Sequence, residues 1–368
     1  MLLMRKYNVT KERAMRYVKA HGSFYKVGCE VGEACRADIP ELYERNVNYL
    51  LNHTRVGSSG RMHQTAARYM AAAERLWPQS VEFLLGLAKG ANVNKRMISL
   101  TAFTEEISSE FPPAVSDKCS TLVMRLADGN HLIVHNEDYE PQNFGKMVVF
   151  DVTFDGFPRL AGVAYPGQLF AGVSLNAYGV AITNNGLWPE ARPGLPKQVL
   201  HCYASLARDM SEAEHLLALQ PNSVTTHYVV ACGLTREVIS LAVSNLDTSE
   251  TNVALRSIAN LPSFAFTNHI PQECLLKLKR PDPAPKLSPH TVPRYAKLKR
   301  LALEDKLPQT PQAALDLFST NDGVIHRAPE QSSTSVTLAT VVIRPETKEF
   351  WIRDADPSAA KRDWYFSL

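Results

Sequence analysis

Six cysteines are scattered along the chain, and one of them, Cys119, stands where chemistry can be done. It opens the apolar run 119–126 (CSTLVMRL), and the segment 131–135 (HLIVH) follows after Ala127-Asp128-Gly129-Asn130. Asp-Gly between two alternating runs is a hairpin signal. In a tight hairpin the end of the second strand returns beside the start of the first. Asp138, at the end of His135-Asn136-Glu137-Asp138, is therefore expected close to Cys119. A thiol at a strand terminus, with a carboxylate and an amide brought beside it, is suited to nucleophilic acyl transfer. The competing reading is a buried strand cysteine that only packs. His135, Glu137 and Asp138 can also be read as metal ligands. No HExxH and no second histidine at helical spacing accompany them, so no metal and no cofactor is expected. Tyr165, Leu187 and Trp188 follow strand ends and either line an acyl pocket or pack the core.

These residues need elements to hold them. The first third reads as helical, over residues 11–20, from Ile39 onward, 61–77 and 80–89, where Val81, Phe83, Leu84, Leu85, Leu87 and Ala88 recur at helical spacing. Phe111-Pro112-Pro113 breaks that pattern. Beyond it the period becomes strand-like: after the hairpin, strands are expected at 147–154, 159–165, 169–175 and 179–184. Helices at 198–210 and 211–219 follow, then strands at Thr226–Cys232 and 238–243, helices at 293–304 and 311–318, and strands at 335–343 and 348–352. Runs of strands interrupted by helix pairs imply an α+β fold with helices layered on antiparallel sheet. The loop 281–293 holds five prolines and reads as a surface connection.

At 368 residues the chain is long enough for two domains or one large one, and its balance of 45% hydrophobic and 21% charged residues excludes a disordered or fibrous protein. A net charge of only +3 gives no reason to expect nucleic acid or membrane as a partner. The basic run from Lys277 to Arg300 is broken by prolines and lacks the interleaved aromatics of a single-strand binder. Gly57-Ser58-Ser59-Gly60-Arg61 lacks the Lys-Ser/Thr of a phosphate loop. No CxxC pair suggests a zinc cage or a disulfide framework, and the charged start lacks a secretory signal, so a cytoplasmic protein is expected. His201, His215 and His227 read as ordinary hydrogen-bonded histidines.

Cys119-Ser120-Thr121, Asn136-x-Asp138 at this distance and the later Thr267-Asn268-His269 together resemble a family. It is the N-terminal-nucleophile (Ntn) hydrolases of the choloylglycine hydrolase, acid ceramidase and isopenicillin N acyltransferase group, with the acyltransferase-like branch closest. Ser174 to Gly179 leading to Asn184-Asn185-Gly186, Pro293-Arg294-Tyr295 at a helix start, and Gly22-Ser23-Phe24-Tyr25 with Gly28 and Gly32 extend the resemblance over nearly the whole chain. It implies a four-layer αββα sandwich with a helical N-terminal segment, made as a precursor. Cys119 would attack the carbonyl of Lys118, releasing a small subunit, residues 1–118, and a large subunit, residues 119–368. The new α-amine, titrating near ~7.7–8.0, can then act as base for its own thiol. In the roles the resemblance carries over, Cys119 is nucleophile and base, and Asp138 holds the amine. Asn268 and Asn185 offer N–H groups to the oxyanion, with Asn184 competing with Asn185, and Arg294 lies near Asp138 and the thiol. His135, Asn136, Tyr165 and Trp188 are placed at the substrate. The bile-salt and ceramidase branches carry arginine where this chain has His135, and the acyltransferase branch has glycine where it has Lys118.

The resulting expectation is an autoprocessed amidase or acyltransferase acting on a small-molecule linear amide, with water, an amine or an acyl-CoA as co-substrate. The protein would be a heterodimer of its own cleavage products and open to higher homo-oligomers. Its rivals are an unprocessed Cys/His thiol hydrolase using His135, and a non-catalytic Ntn-fold ligand binder.

Overall fold

Val18, Ala20 and Gly22 are buried while Tyr17, Lys19 and His21 face outward, and this two-residue period makes the segment a strand, β1 (Arg16–Gly22). The helix expected over 11–20 is thereby corrected over 16–20, residues 11–14 lying outside the described residues: alternation, weak over so few residues, outweighs the charge pattern. The computed structural model describes residues 15–112, 119–139, 141–170, 172–187, 192–243, 253–269, 290–320, 322–328, 335–355 and 363–368.

Two sheets form the centre. The larger has eight strands in the order β1, β4 (Val148–Phe154), β5 (Arg159–Ala164), β6 (Val173–Asn176), β7 (Val180–Gly186), β8 (Thr226–Cys232), β9 (Glu237–Val243) and β10 (Val253–Ser257). The smaller has six, in the order β11 (Ser263–Phe266), β2 (Ser120–Arg125), β3 (His131–Tyr139), β12 (Val336–Arg344), β13 (Glu349–Asp354) and β14 (Asp363–Ser367). β1 joins β4 in parallel, while β2 and β3, like the meander from β4 to β8, pair antiparallel. Val149, Val163, Leu175 and Val229 of the larger sheet pack against Ile133, Val341, Ile343 and Ile352 of the smaller, so the sheets stack face to face over one apolar core. Each such side chain contributes roughly 1.5–3 kcal/mol when fully buried.

Helices cover both outer faces. Outside the larger sheet lie α1 (Phe24–Ala34), α2 (Asp38–His53), α3 (Ser59–Leu76), α4 (Pro78–Ala91), α5 (Lys95–Ala102), α6 (Thr104–Glu110), α7 (Lys197–Ala204) and α8 (Met210–Leu217). The smaller sheet is covered by α9 (Thr291–Leu303) and α10 (Pro311–Ser319). This is the expected four-layer αββα arrangement. Ser23 caps α1 by accepting from the Lys26 N–H, as its residue type favours. Gly28 and Gly86 let α1 and α4 touch backbone to backbone: a Cβ on Gly28 would lie 2.2 Å from the Phe83 carbonyl oxygen, and one on Gly86 would lie 2.2 Å from that of Tyr25.

The helices α1, α5 and α6 and the strands β10 and β14 are additions to the sequence reading, while β11 forms where the apolar run Phe264-Ala265-Phe266 suggests a strand end. The strand expected over 169–175 is confined to Val173–Asn176. Most of the proline-rich loop 281–293 lies outside the described residues, as do Lys118 and Trp188. No described helix is long and apolar enough to cross a membrane.

Candidate active site

The β2–β3 hairpin places the site. Gly129 turns it with φ +80°, a conformation that favours glycine, and the register pairs Ser120 with Asn136 and Thr121 with His135. Alternation then sorts the side chains onto two faces. Cys119, Thr121, His135 and Glu137 point toward the larger sheet. Ser120, Asn136 and Asp138 point toward α9 and α10.

On the inner face the groups form a chain. Cys119, 3% exposed, directs Sγ to Glu137 Oε2 at 3.5 Å, and His135 Nε2 lies 3.3 Å from the same oxygen. The hydroxyl of Tyr165, at the end of β5, donates to Glu137 Oε1 at 2.7 Å. On the other side of the ring, His135 Nδ1 is 2.8 Å from Thr121 Oγ1, and that hydroxyl donates to Asn185 Oδ1 at 2.9 Å. Burial pushes the Glu137 carboxyl up, but its bonds and proximity to His135, then Tyr165 and Lys197, outweigh this and hold it below its ordinary value. Tyr165 is driven well above the usual phenol range by burial and by the Glu137 charge. The inner face therefore carries a carboxylate within reach of a thiol, an imidazole and a phenol.

Asn185 and Asn184 take different faces of β7. Asn185 faces the smaller sheet, fully buried, and its Nδ2 has no hydrogen-bond partner among the described residues. Asn184 donates to the Gly172 carbonyl at 2.6 Å and lines the cleft. A buried amide N–H without an acceptor costs free energy unless something arrives to accept it.

On the outer face, two buried arginines converge. Arg294, brought from the first turn of α9, donates from Nη1 to the Cys119 carbonyl and to Ser120 Oγ, each at 2.7 Å. The same Nη1 is 3.7 Å from Asp138 Oδ2, and Nη2 donates to Asn268 Oδ1 at 2.8 Å. Arg327 Nη2 donates to Asp138 Oδ2 at 3.1 Å. Asp138 Oδ1 is buried with no hydrogen-bond partner among the described residues. Asn268, carried past the end of β11, donates to the Gly186 carbonyl at 3.0 Å.

The structure thus brings Cys119, His135, Tyr165 and Asn185 together, and joins Asp138, Arg294 and Asn268 around the main chain at the head of β2. One expectation is corrected in detail: the side chain that meets the thiol is Glu137, because residue 137 lies opposite 119 in the hairpin register, while Asp138 meets the main chain through Arg294. Asn136 is not brought to the cleft. It donates to the carbonyls of Phe318 and Ile325 and accepts from Thr340 Oγ1, so its amide ties β3 to β12 and the α10 end. Leu187 packs in the core with Ala242, Ala254 and Phe266. His227 stacks on Phe266 and bonds Ser240, as an ordinary histidine would. Buried His201 instead has neither ring nitrogen hydrogen-bonded among the described residues.

Cys119 and Glu137 open onto a cleft walled by Glu105, Tyr139, Tyr165, Gln168, Asn184, Lys197 and Gln198. Lys197 pairs with Glu105 at 2.8 Å within it. Burial lowers the Lys197 pKa, but Glu105 and then Glu106 overcome that and raise it, so the ammonium persists. Glu106, fully buried next to Glu105, is pushed up to about 7 by burial first and by that neighbour second. Thr121 was part of the family motif but was given no role, and Glu105, Lys197 and Arg327 went unnoticed in the sequence. The odd-even alternation from Cys119 could have flagged Thr121; the others come from distant segments with no local signal. Cys119, His135 and Glu137 also have their donor atoms within 4.8 Å of one another, a geometry that could hold a metal ion.

Two stacked sheets between helix layers, with a cysteine at the head of an inner strand, define the class of N-terminal-nucleophile hydrolases. Residues 125–359 match the family described as acyl-coenzyme A:6-aminopenicillanic acid acyl-transferase, and the chain belongs to that family. The match begins downstream of Cys119. Among curated proteins none matches this sequence. Among solved structures, the chain is similar to the Caenorhabditis elegans ortholog of N-acylethanolamine-hydrolyzing acid amidase, at 12% identity and a TM-score of 0.44 over 67% of this chain and all (100%) of that one. It is also similar to penicillin V acylase from Agrobacterium tumefaciens (13% identity, TM-score 0.44, 68% of this chain and 86% of that one). A mutant conjugated bile acid hydrolase from Clostridium perfringens is similar as well (12% identity, TM-score 0.41, 68% and 92%). Similarity at these values carries nothing about chemistry, which rests on the residues of this chain.

Proposed function

We propose that the protein is an autoprocessed cysteine hydrolase or acyltransferase that cleaves a small-molecule linear amide through an acyl-thioester on Cys119. The observation that supports it most is the two-sidedness of Cys119. Its side chain opens onto the cleft, while its main chain is gripped by Arg294, whose Nη1 also lies beside Asp138.

In this reading Cys119 Sγ first attacks the Lys118 carbonyl carbon. The scissile C–N bond breaks, the nitrogen takes a proton to become the Cys119 α-amine, and water hydrolyses the thioester. The amine so made meets Asp138, whose Oδ1 has no partner among the described residues and would accept a charge-assisted bond from it. In turnover the α-amine takes the thiol proton as sulfur attacks the substrate carbonyl, then gives it to the leaving amine as the C–N bond breaks. The oxyanion forms against the Asn185 and Asn268 amides, and Asn185 Nδ2 is already without an acceptor among the described residues. Water or an acceptor amine then takes the acyl group. The cleft's Glu105–Lys197 pair and its Gln168, Asn184 and Gln198 amides favour a substrate with polar groups on both sides of the amide. Acyl-CoA remains a co-substrate in the transfer direction.

A second reading has one specific observation behind it: His135 lies within 4.8 Å of the thiol, as a Cys/His hydrolase with an intact chain would need. Incubation with a panel of amide conjugates, quenched in acid and digested, separates the readings. The proposal expects an acyl adduct on the peptide whose first residue is Cys119. An adduct on a peptide still joined to Lys118 would favour the Cys/His hydrolase, and hydrolysis by a Cys119→Ala protein would overturn both.

A further inference from the structure

We propose that Cys119, His135 and Glu137 form a binding site for a zinc-like divalent cation. The three ligands come from two adjacent strands: residue 137 stands across from 119 and residue 135 across from Thr121. That cross-strand spacing has no helical signature, which is why the sequence showed no metal motif.

Two of the three donor separations match a tetrahedral ion. Bonds of about 2.3 Å to sulfur, 2.0–2.1 Å to imidazole nitrogen and 2.0–2.2 Å to carboxylate oxygen put sulfur and oxygen about 3.6 Å apart, and nitrogen and oxygen about 3.4 Å apart. The corresponding separations are 3.5 Å from Cys119 Sγ and 3.3 Å from His135 Nε2, both to Glu137 Oε2, and all three donor atoms lie within 4.8 Å of one another. Thiolate, imidazole and carboxylate together suit zinc better than magnesium or calcium.

The outer contacts agree. With the Asn185 amide oriented as it stands, Thr121 gives its proton to Asn185 Oδ1 and so accepts from His135 Nδ1–H. With Nδ1 turned to Thr121, Nε2 is the ring nitrogen that faces Glu137 Oε2, at 3.3 Å, and a metal ion there would take the place of a proton between them. Glu137 is held from its other oxygen by Tyr165, so each of the two strand ligands beside the thiol has an orienting partner. On binding, Cys119 exchanges its S–H bond for an S–metal bond and the proton leaves to solvent, with no change of oxidation state. The fourth position is left to water from the cleft. Inhibition of turnover by the bound ion follows only if Cys119 is the nucleophile proposed above; the site itself does not depend on that.

The test therefore reads absorption, not activity. Cobalt(II) titrated into the purified wild-type protein should bind once per Cys119 with a thiolate-to-metal charge-transfer band, and zinc should abolish the band. His135→Ala and Glu137→Gln should each weaken binding at least tenfold, and Thr121→Ala, which removes only the orienting hydroxyl, by roughly 10–100-fold. Should the variants fold poorly, alkylation of Cys119 in the folded wild type serves instead, and zinc should slow it by tenfold or more. Cobalt binding without the thiolate band, unchanged affinity in both ligand variants, or zinc-insensitive alkylation would overturn the site. A protein that hydrolyses amides through Cys119 yet shows no thiolate band would remove the metal site alone.

Discussion

Glu137 accepts from a thiol and a phenol and faces an imidazole, brought to it from the ends of three strands, so its charge is shared by every group that could react. Around it the amides divide the work. Asn185 carries a donor with no acceptor among the described residues, whereas Asn268 also holds Arg294 and the Gly186 carbonyl. Steady-state kinetics with melting curves should separate them. Asn185→Ala should lower kcat by roughly 10²–10³-fold with KM little changed, as for a lost oxyanion donor. Asn268→Ala should lower both kcat and stability, because a buried arginine loses its partner. Loss of stability without loss of kcat in Asn185→Ala would return that residue to the scaffold. Glu106 offers a pH signature. Its folded value of about 7 stands above the ordinary 4.5, so the folded state holds the extra proton. Its contribution is fully present below about pH 4.5 and is lost as pH rises toward 7. Glu106→Gln should flatten the fall of melting temperature across that window, and an unchanged slope would contradict the assignment. At this scale Cys119, Asp138, Asn268 and Arg294 were legible because their spacing and neighbours repeat a family pattern. Glu137 was seen only as a candidate ligand, and Lys197 and Arg327 were not seen at all, because burial and charge pairing between distant segments leave no local trace.

Among the elements, the hairpin was legible from its Asp-Gly turn, and period two then sets the site: one residue of slip would exchange the two faces. The same period went unread in β1, a short strand whose flanking charges imitate an amphipathic helix. The β10 and β14 strands were missed since edge strands show weak alternation and draw their pairing from the sheet. The α1–α4 contact gives a direct test of packing. Alanine favours helix over glycine by about 1 kcal/mol, so helix propensity alone predicts that Gly86→Ala stabilises. The Cβ would stand 2.2 Å from the Tyr25 carbonyl oxygen, and overpacking of this kind costs about 1–3 kcal/mol. Urea denaturation should show a net loss for Gly86→Ala. Gly60→Ala, with Ser58 Oγ at 4.0 Å as its nearest neighbour, should show none. Equal behaviour of the two would mean that the helices do not pack this closely.

Across the whole molecule, residues before and after the proposed cut share one core. β1 pairs with β4 along its entire length, and Phe24 stacks on Phe154 with ring centroids 4.1 Å apart. Cleavage between Lys118 and Cys119 should therefore leave two chains that travel together in native sizing and part only in denaturant. The α+β class was legible from the change of period near the proline pair, and the four layers from the family resemblance; the sheet order was not, because pairing such as β11 beside β2 joins segments far apart in sequence. The most direct test of the account is the intact mass of the purified wild-type protein under denaturing conditions. The account predicts two species, one of them the fragment beginning at Cys119, and a single chain of the full 40.9 kDa in Cys119→Ala. A fully active wild-type protein that remains one uncut chain would contradict it.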